Sequence, residues 1–144
     1  MKLAYFSPLL PLRTGISDYS EELLPHLARA ADITLFVDGF QPSNHEVTSR
    51  FEICDYQKQP DLLKRLESFD AVIYHMGNDH RYHTGIFETM IKYPGILVLH
   101  DFSLQDFFFS LAQTRGDMRL YVDEVGACYG ESAMKISSSQ QVKA

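Results

Sequence analysis

Short apolar runs alternate in this chain with segments of helical period, and no other feature narrows its fold as much. The runs cover 2–6 (KLAYF), 32–37 (DITLFV), 50–54 (RFEIC), 70–75 (DAVIYH) and 95–100 (GILVLH). Segments this short and this rich in β-branched and aromatic residues read as strands. Between them lie 12 residues or more (38–49 is the shortest interval), enough for the crossovers that parallel strands need. The pattern predicts an α/β fold: a Rossmann-like parallel sheet of about five strands in the order 3-2-1-4-5, with helices on both faces. Runs 70–75 and 95–100 are continuously apolar, which predicts central strands covered on both sides.

The connecting segments carry their own signals. Pro8 and Pro11 forbid direct passage from the first strand into a helix, so a loop must intervene. A helix then opens near Gly15, with Ser17 or Asp18 as its N-cap and Ile16, Tyr19, Leu23, Leu27 and Ala30 along the face that packs on the sheet. Pro25 inside it predicts a kink. The Gly, Pro, Ser and Asn of 38–49 predict a mobile surface loop, and Pro60-Asp61 starts a short helix through Leu66. Further helices are expected over 81–92, over 103–113 with Ser103 as cap, and over about 118–129.

Composition excludes several classes of protein. Apolar residues are 45% and charged ones 22% of 144, close to the globular norm and far from that of a disordered chain. The net charge of −6, with no basic run, argues against nucleic acid or an anionic membrane as partner. No apolar stretch approaches the ~18–20 residues of a bilayer span, and the N-terminus reads as a strand and not as a signal peptide. A cytoplasmic protein is therefore expected. Cys54 and Cys128 form no C-x-x-C pair and read as thiols without a catalytic setting.

In an open parallel sheet, ligands bind beyond the carboxyl ends of the strands. Those ends hold Ser7-Pro8 and Thr14-Gly15-Ile16-Ser17 after the first strand, His75-Met76-Gly77-Asn78 after the fourth and His100-Asp101 after the fifth. At Thr14-Gly15 a helix N-terminus offers unpaired N–H groups to an anion, although a glycine that only turns the chain has the same appearance. His75 and His100 close adjacent strands, either as core histidines or as ligand contacts. Asp101 either caps the next helix or orients His100 and raises its basicity. The stretch Asp79-His80-Arg81-Tyr82-His83 lacks the ligand set of a structural zinc site and the H-E-x-x-H of a catalytic one, so no metal is expected. There is no G-x-G-x-x-G, no P-loop and no G-x-S-x-G, and no bound cofactor is implied. A response regulator would need acidic residues after the first strand, and a flavodoxin a Ser/Thr-rich phosphate loop. Neither is present.

The segments LAYFSPLLPLRTGISDYSEELLPHLA, DITLFVD, DAVIYHMGND and PGILVLHD together resemble the N-terminal half of the retaining glycosyltransferases of family 4, which have the two-domain GT-B fold. This resemblance implies that 1–115 form the acceptor-side Rossmann-like domain, that 116–136 are terminal helices packing on it, and that 137–144 are a polar tail or linker. It gives Thr14 and Gly15 the glycine-loop role beside the donor diphosphate and sugar. His100 takes the place of the family histidine at the donor sugar, as the catalytic residue. His75, Gly77, Asn78 and Asp101 fall where acceptor or sugar contacts are expected.

The implied partners are a nucleotide-sugar donor, held mainly by a C-terminal domain, and an acceptor saccharide or lipid. Two features depart from the family. A single Gly15 preceded by Thr14 replaces the paired glycines of many members, and no two glutamates have the E-x7-E spacing of the donor domain. Transfer by these residues alone is not expected; a non-catalytic sugar- or protein-binding module on the same fold is the alternative. Self-association through the aromatic residues 107–109 is a further possibility.

Overall fold

The computed structural model describes residues 1–141. The elements run β1 (Lys2–Phe6), α1 (Gly15–Leu27), β2 (Asp32–Val37), α2 (His45–Arg50), β3 (Glu52–Asp55), a 3₁₀ helix (Pro60–Ser68), β4 (Ala71–Met76), α3 (His80–Lys92), β5 (Ile96–Leu99), α4 (Gln105–Arg115), α5 (Arg119–Tyr129) and α6 (Glu131–Gln141). All four strand pairings are parallel and the order is β3-β2-β1-β4-β5. This is the expected α/β, Rossmann-like arrangement. Two compact units result: Met1–Gly77 with Arg81–Phe102, and Asn78–His80 with the residues from Ser103 onward.

Side-chain alternation along the strands builds two apolar layers in the first unit. Leu3 and Tyr5 of β1 and Ile33, Leu35 and Val37 of β2 point to one face, where Leu9, Leu24 of α1 and Val47 of α2 cover them. Phe6 points to the other, with its ring 4.7 Å from Phe36, 4.7 Å from Tyr74 and 5.5 Å from Tyr56. The two layers make β1 the buried axis of the sheet. A polar chain then ties the proline loop to it: the Tyr5 hydroxyl donates to Ser20 Oγ (3.1 Å), Ser20 and Ser7 meet at 2.7 Å, and Ser7 Oγ donates to the Pro8 carbonyl (2.9 Å). Burial pushes the Tyr5 phenol up to about 12, so it stays a donor.

Several sequence expectations need correction. The loop predicted over 38–49 contains α2, capped by Asn44, whose Oδ1 accepts from Glu46 N (3.0 Å), and anchored by buried Val47. The cap of α1 is Thr14 in place of Ser17 or Asp18, and α1 continues through Pro25. Ser103 is not the cap of α4, which starts at Gln105 after Leu104. β5 is an edge strand: Ile96, Leu97 and Leu99 are 54%, 44% and 46% exposed, so its apolar run does not report cover on both faces. Cys54 is buried and Cys128 exposed, both as free thiols.

In the second unit Phe107 is buried, whereas Phe109 is exposed and sets its ring edge-on to Tyr121 at 5.3 Å. Most of the expected polar tail is helical: α6 extends to Gln141, and 142–144 lie outside the described residues. Among the described residues no helix is long and apolar enough to cross a membrane.

Gly95 admits β5 to the sheet, because a Cβ there would lie 2.6 Å from the Val72 carbonyl oxygen and 2.9 Å from the Tyr74 ring. Backbone in the neighbouring strand cannot retreat as a flexible side chain can. Gly95→Ala is therefore expected to cost about 1–3 kcal/mol, read as a lower midpoint in denaturant unfolding; an unchanged midpoint would show that the β4–β5 junction gives way freely.

Candidate functional site

Local chemistry explains why a helix begins at Thr14-Gly15. Thr14 is extended, and its Oγ1 accepts from Ser17 N (3.0 Å) and touches Ser17 Oγ (3.0 Å), while Ser17 Oγ donates to the Leu12 carbonyl (2.6 Å). Glu21, one turn on, accepts from Leu10 N (2.8 Å) and from Asn44 Nδ2 (2.6 Å), locking the proline loop and the start of α2 to α1. The helix leaves its first-turn N–H groups at Gly15 and Ile16 without helical carbonyl partners. Gly15 lines a cleft of about 380 Å³ together with Leu10, Arg13, Thr14 and Asp18. Arg13 is exposed and forms no ion pair among the described residues, although the carboxylate of Asp18 lines the same cleft.

Strand register brings the two histidines together. His75 pairs with Val98 and Met76 with Leu99, and His100 N bonds the Met76 carbonyl at 2.9 Å. Counting one residue further, His100 lies beside Gly77 and points to the same side of the sheet as His75. This is the α1 side. The imidazoles meet at 2.8 Å between His75 Nδ1 and His100 Nε2, with ring centroids 5.1 Å apart. Tyr19 of α1 closes over them, 4.9 Å from the His100 ring and 5.8 Å from that of His75, and Tyr5 lies 4.6 Å from His75 beneath.

Burial decides the protonation of the pair. His75 is 1% exposed, and its pKa falls from 6.5 to about 4, first through desolvation and then through the neighbouring His100. His100 is also lowered; burial outweighs the opposing pull of Asp101. Asp101 pulls the basicity of His100 upward, as one of its two sequence-suggested roles has it, but burial is the larger effect and the net shift is downward. Asp101 does not cap α4, whose cap residue is Leu104.

Gly77 sits where three side chains converge. A Cβ there would lie 2.6 Å from Ile16 Cδ1, 3.0 Å from Asp101 Oδ2 and 3.1 Å from His83 Cε1. The first turn of α1, the end of β4 and the residue after His100 thus share one small region. Asn78 has another task, in the second unit: its Nδ2 donates to Asp106 Oδ2 (3.0 Å) and its Oδ1 accepts from Phe107 N (3.0 Å). Its amide is spent on the start of α4. Among the described residues no group of three His, Cys, Asp or Glu is placed to hold a metal ion.

No family model, curated protein or solved structure matches the chain. The site's chemistry therefore rests on its own geometry. The structure joins His75 to His100 and gathers Gly77 and Asp101 beside them. Thr14 and Gly15 line the neighbouring cleft, which neither histidine lines. Sequence reasoning missed Tyr19, Arg13 and Glu21 as site residues. Tyr19 had a usable signal, since it lies four residues after Gly15 and hence on the same helix face. Glu21 had none, because its partners Leu10 and Asn44 are distant in sequence.

A neutral buried histidine makes stability depend on pH. The unfolded chain takes up a proton near pH 6.5, whereas folded His75 resists until about pH 4. Stability contributed by this group is present above pH 6.5, is lost as pH falls from 6.5 toward 4, and changes no further below. The loss is about 3 kcal/mol. It should appear as an acid-side slope in urea midpoints that is clearly smaller in His75→Phe, where only the lesser contribution of His100 remains; equal slopes in both proteins would refute the assignment.

Proposed function

We propose that this chain provides the acceptor-side, N-terminal domain of a retaining glycosyltransferase that uses a nucleotide-sugar donor. On this proposal the domain is not competent without a donor-binding half. The observation that carries it is the grouping, beyond the carboxyl ends of β1, β4 and β5, of a helix N-terminus with a free arginine and a neutral histidine pair. The two parts suit the two ends of a nucleotide sugar. Helix N–H groups and Arg13 match phosphoryl oxygens, while a neutral imidazole exchanges hydrogen bonds with sugar hydroxyls without bringing a charge.

In this role Thr14 keeps the helix start in place, and Gly15 leaves the approach to its N–H open, since a Cβ there would meet nothing within 4 Å. His100 contacts the sugar. Retaining transfer passes through an oxocarbenium-like sugar and a departing diphosphate, whose growing charge requires fixed donors. Arg13 and the Gly15 N–H are a modest share of that requirement. The donor half supplies the rest, together with the closed cleft that excludes water.

The test compares the chain alone, the chain supplied with a GT-B donor domain, and the same assembly carrying His100→Ala. Labelled nucleotide-sugars are used and products are followed by mass spectrometry. No transfer is expected from the chain alone, transfer from the assembly, and a loss of about 10²-fold or more with His100→Ala. Robust turnover by the isolated chain, or an unimpaired variant, would defeat the proposal.

A further inference from the structure

The histidine pair has one feature that its sugar-site role leaves unexplained. His75 is 1% exposed, its Nδ1 is committed to His100, and its Nε2 is buried with no hydrogen-bond partner. Both rings are neutral near pH 7, since both pKa values are lowered. A neutral imidazole carries one N–H and one bare nitrogen. Exactly one proton can lie between the two rings, and only two arrangements place it there.

In the first, His75 carries its proton on Nδ1 and donates to His100 Nε2. His75 Nε2 is then a buried, unpartnered lone pair, and His100 carries its own proton on Nδ1. In the second, His100 donates from Nε2 to His75 Nδ1. His75 must then carry its proton on Nε2, where a buried N–H finds no acceptor. Orphaned buried N–H groups are rarer in folded proteins than under-satisfied acceptors. Aromatic neighbours offer the second arrangement little, because N–H···π contacts are weak, and both Tyr5 and Tyr19 are tilted against the His75 ring, by 38° and 48°.

We infer that His75 is a positioning residue that holds His100 in the Nδ1–H tautomer, so that His100 presents its site with a hydrogen-bond donor and no base. His100 Nδ1 makes no hydrogen bond among the described residues, and it is not one of the buried unpartnered atoms, so it reaches solvent on a half-buried ring. The ligand class follows: an oxygen acceptor, such as a hydroxyl or phosphoryl oxygen, and not a proton to be removed. That this oxygen belongs to a sugar rests on the proposed function above. The tautomer does not.

Long-range ¹H–¹⁵N correlation spectra of the full chain at neutral pH decide it, with the His75 and His100 signals assigned from His75→Asn and His100→Gln. The expected result is Nδ1–H on both rings and a bare, pyridine-type Nε2 on each. Asn at 75 keeps an amide N–H close to the place of Nδ1, so in His75→Asn the His100 tautomer should persist. In His75→Leu, which offers nothing to Nε2, His100 should shift to mainly Nε2–H, as for a histidine side chain in water. An Nε2–H on His100 in the unmodified chain overturns the inference, and so does an Nδ1–H tautomer surviving unchanged in His75→Leu. If only the leucine variant fails to fold, the unmodified chain and the asparagine variant still decide. None of these spectra depends on sugar transfer, so a failed glycosyltransferase assay leaves the inference standing.

Discussion

β1 has neither a free edge nor a bare face, and the rest of the first unit is arranged around that constraint. Its residues Leu3, Ala4, Tyr5 and Phe6 are all 2% exposed or less. Its backbone is paired on both sides by parallel neighbours, β2 and β4. Its parallel neighbours are reached only by crossing over, and because all the strands run in one direction every connection after a strand leaves at the same edge. The proline loop, the start of α1, Gly77 and His100 share that edge for this reason. Proximity of residues 15, 77 and 100 is thus a consequence of topology before any side chain contributes.

Side chains then sharpen what topology supplies. The parallel register of β4 and β5 directs His75 and His100 to one side, and α1 lays Tyr19 across them. Desolvation by these neighbours is the larger effect on both imidazoles, and Asp101 does not reverse it at His100. Had the carboxylate won, His100 would be a cation at neutral pH and would compete with Arg13 for the same anionic ligand. Because burial wins, the two ends of the site differ: one charged and exposed, the other neutral and half-buried.

Much of this was legible in the sequence, because the decisive signals were local. Apolar runs such as DITLFV marked β2 residue for residue, and the proline pair marked the loop before α1. The strand order followed from crossover rules, and the closeness of His75 and His100 followed from the order. Four things were not legible. α2 has one buried apolar residue, Val47, in six, so its segment has almost no helical period. The predicted order already placed β5 at an edge, but the run GILVLH has the composition of a strand covered on both faces, and composition alone does not tell what covers a strand. The Glu21 clasp joins residues 11 and 23 positions away, a distance over which periodicity says nothing. The direction of the His100 shift was also hidden, since it depends on how deeply the ring is covered.

Charge limits what the carboxyl edge can hold unaided. The chain carries −6 overall, and the only cation lining the cleft, Arg13, shares it with Asp18. The diphosphate of a nucleotide sugar brings about two negative charges, one on each phosphate, while a helix N-terminus offers roughly half a positive one. Opposing fields from Asp18 and the net charge leave little surplus, and salt reduces what remains between exposed groups. A diphosphate would therefore need cations from outside these residues. The neutral histidine end needs no such help, because hydrogen bonds to hydroxyls do not depend on net charge. Under the proposed function this imbalance assigns the phosphates to the donor half and the sugar to the histidine end. It also separates the proposal from a free-standing nucleotide-binding module, which would have to carry its own compensating charge.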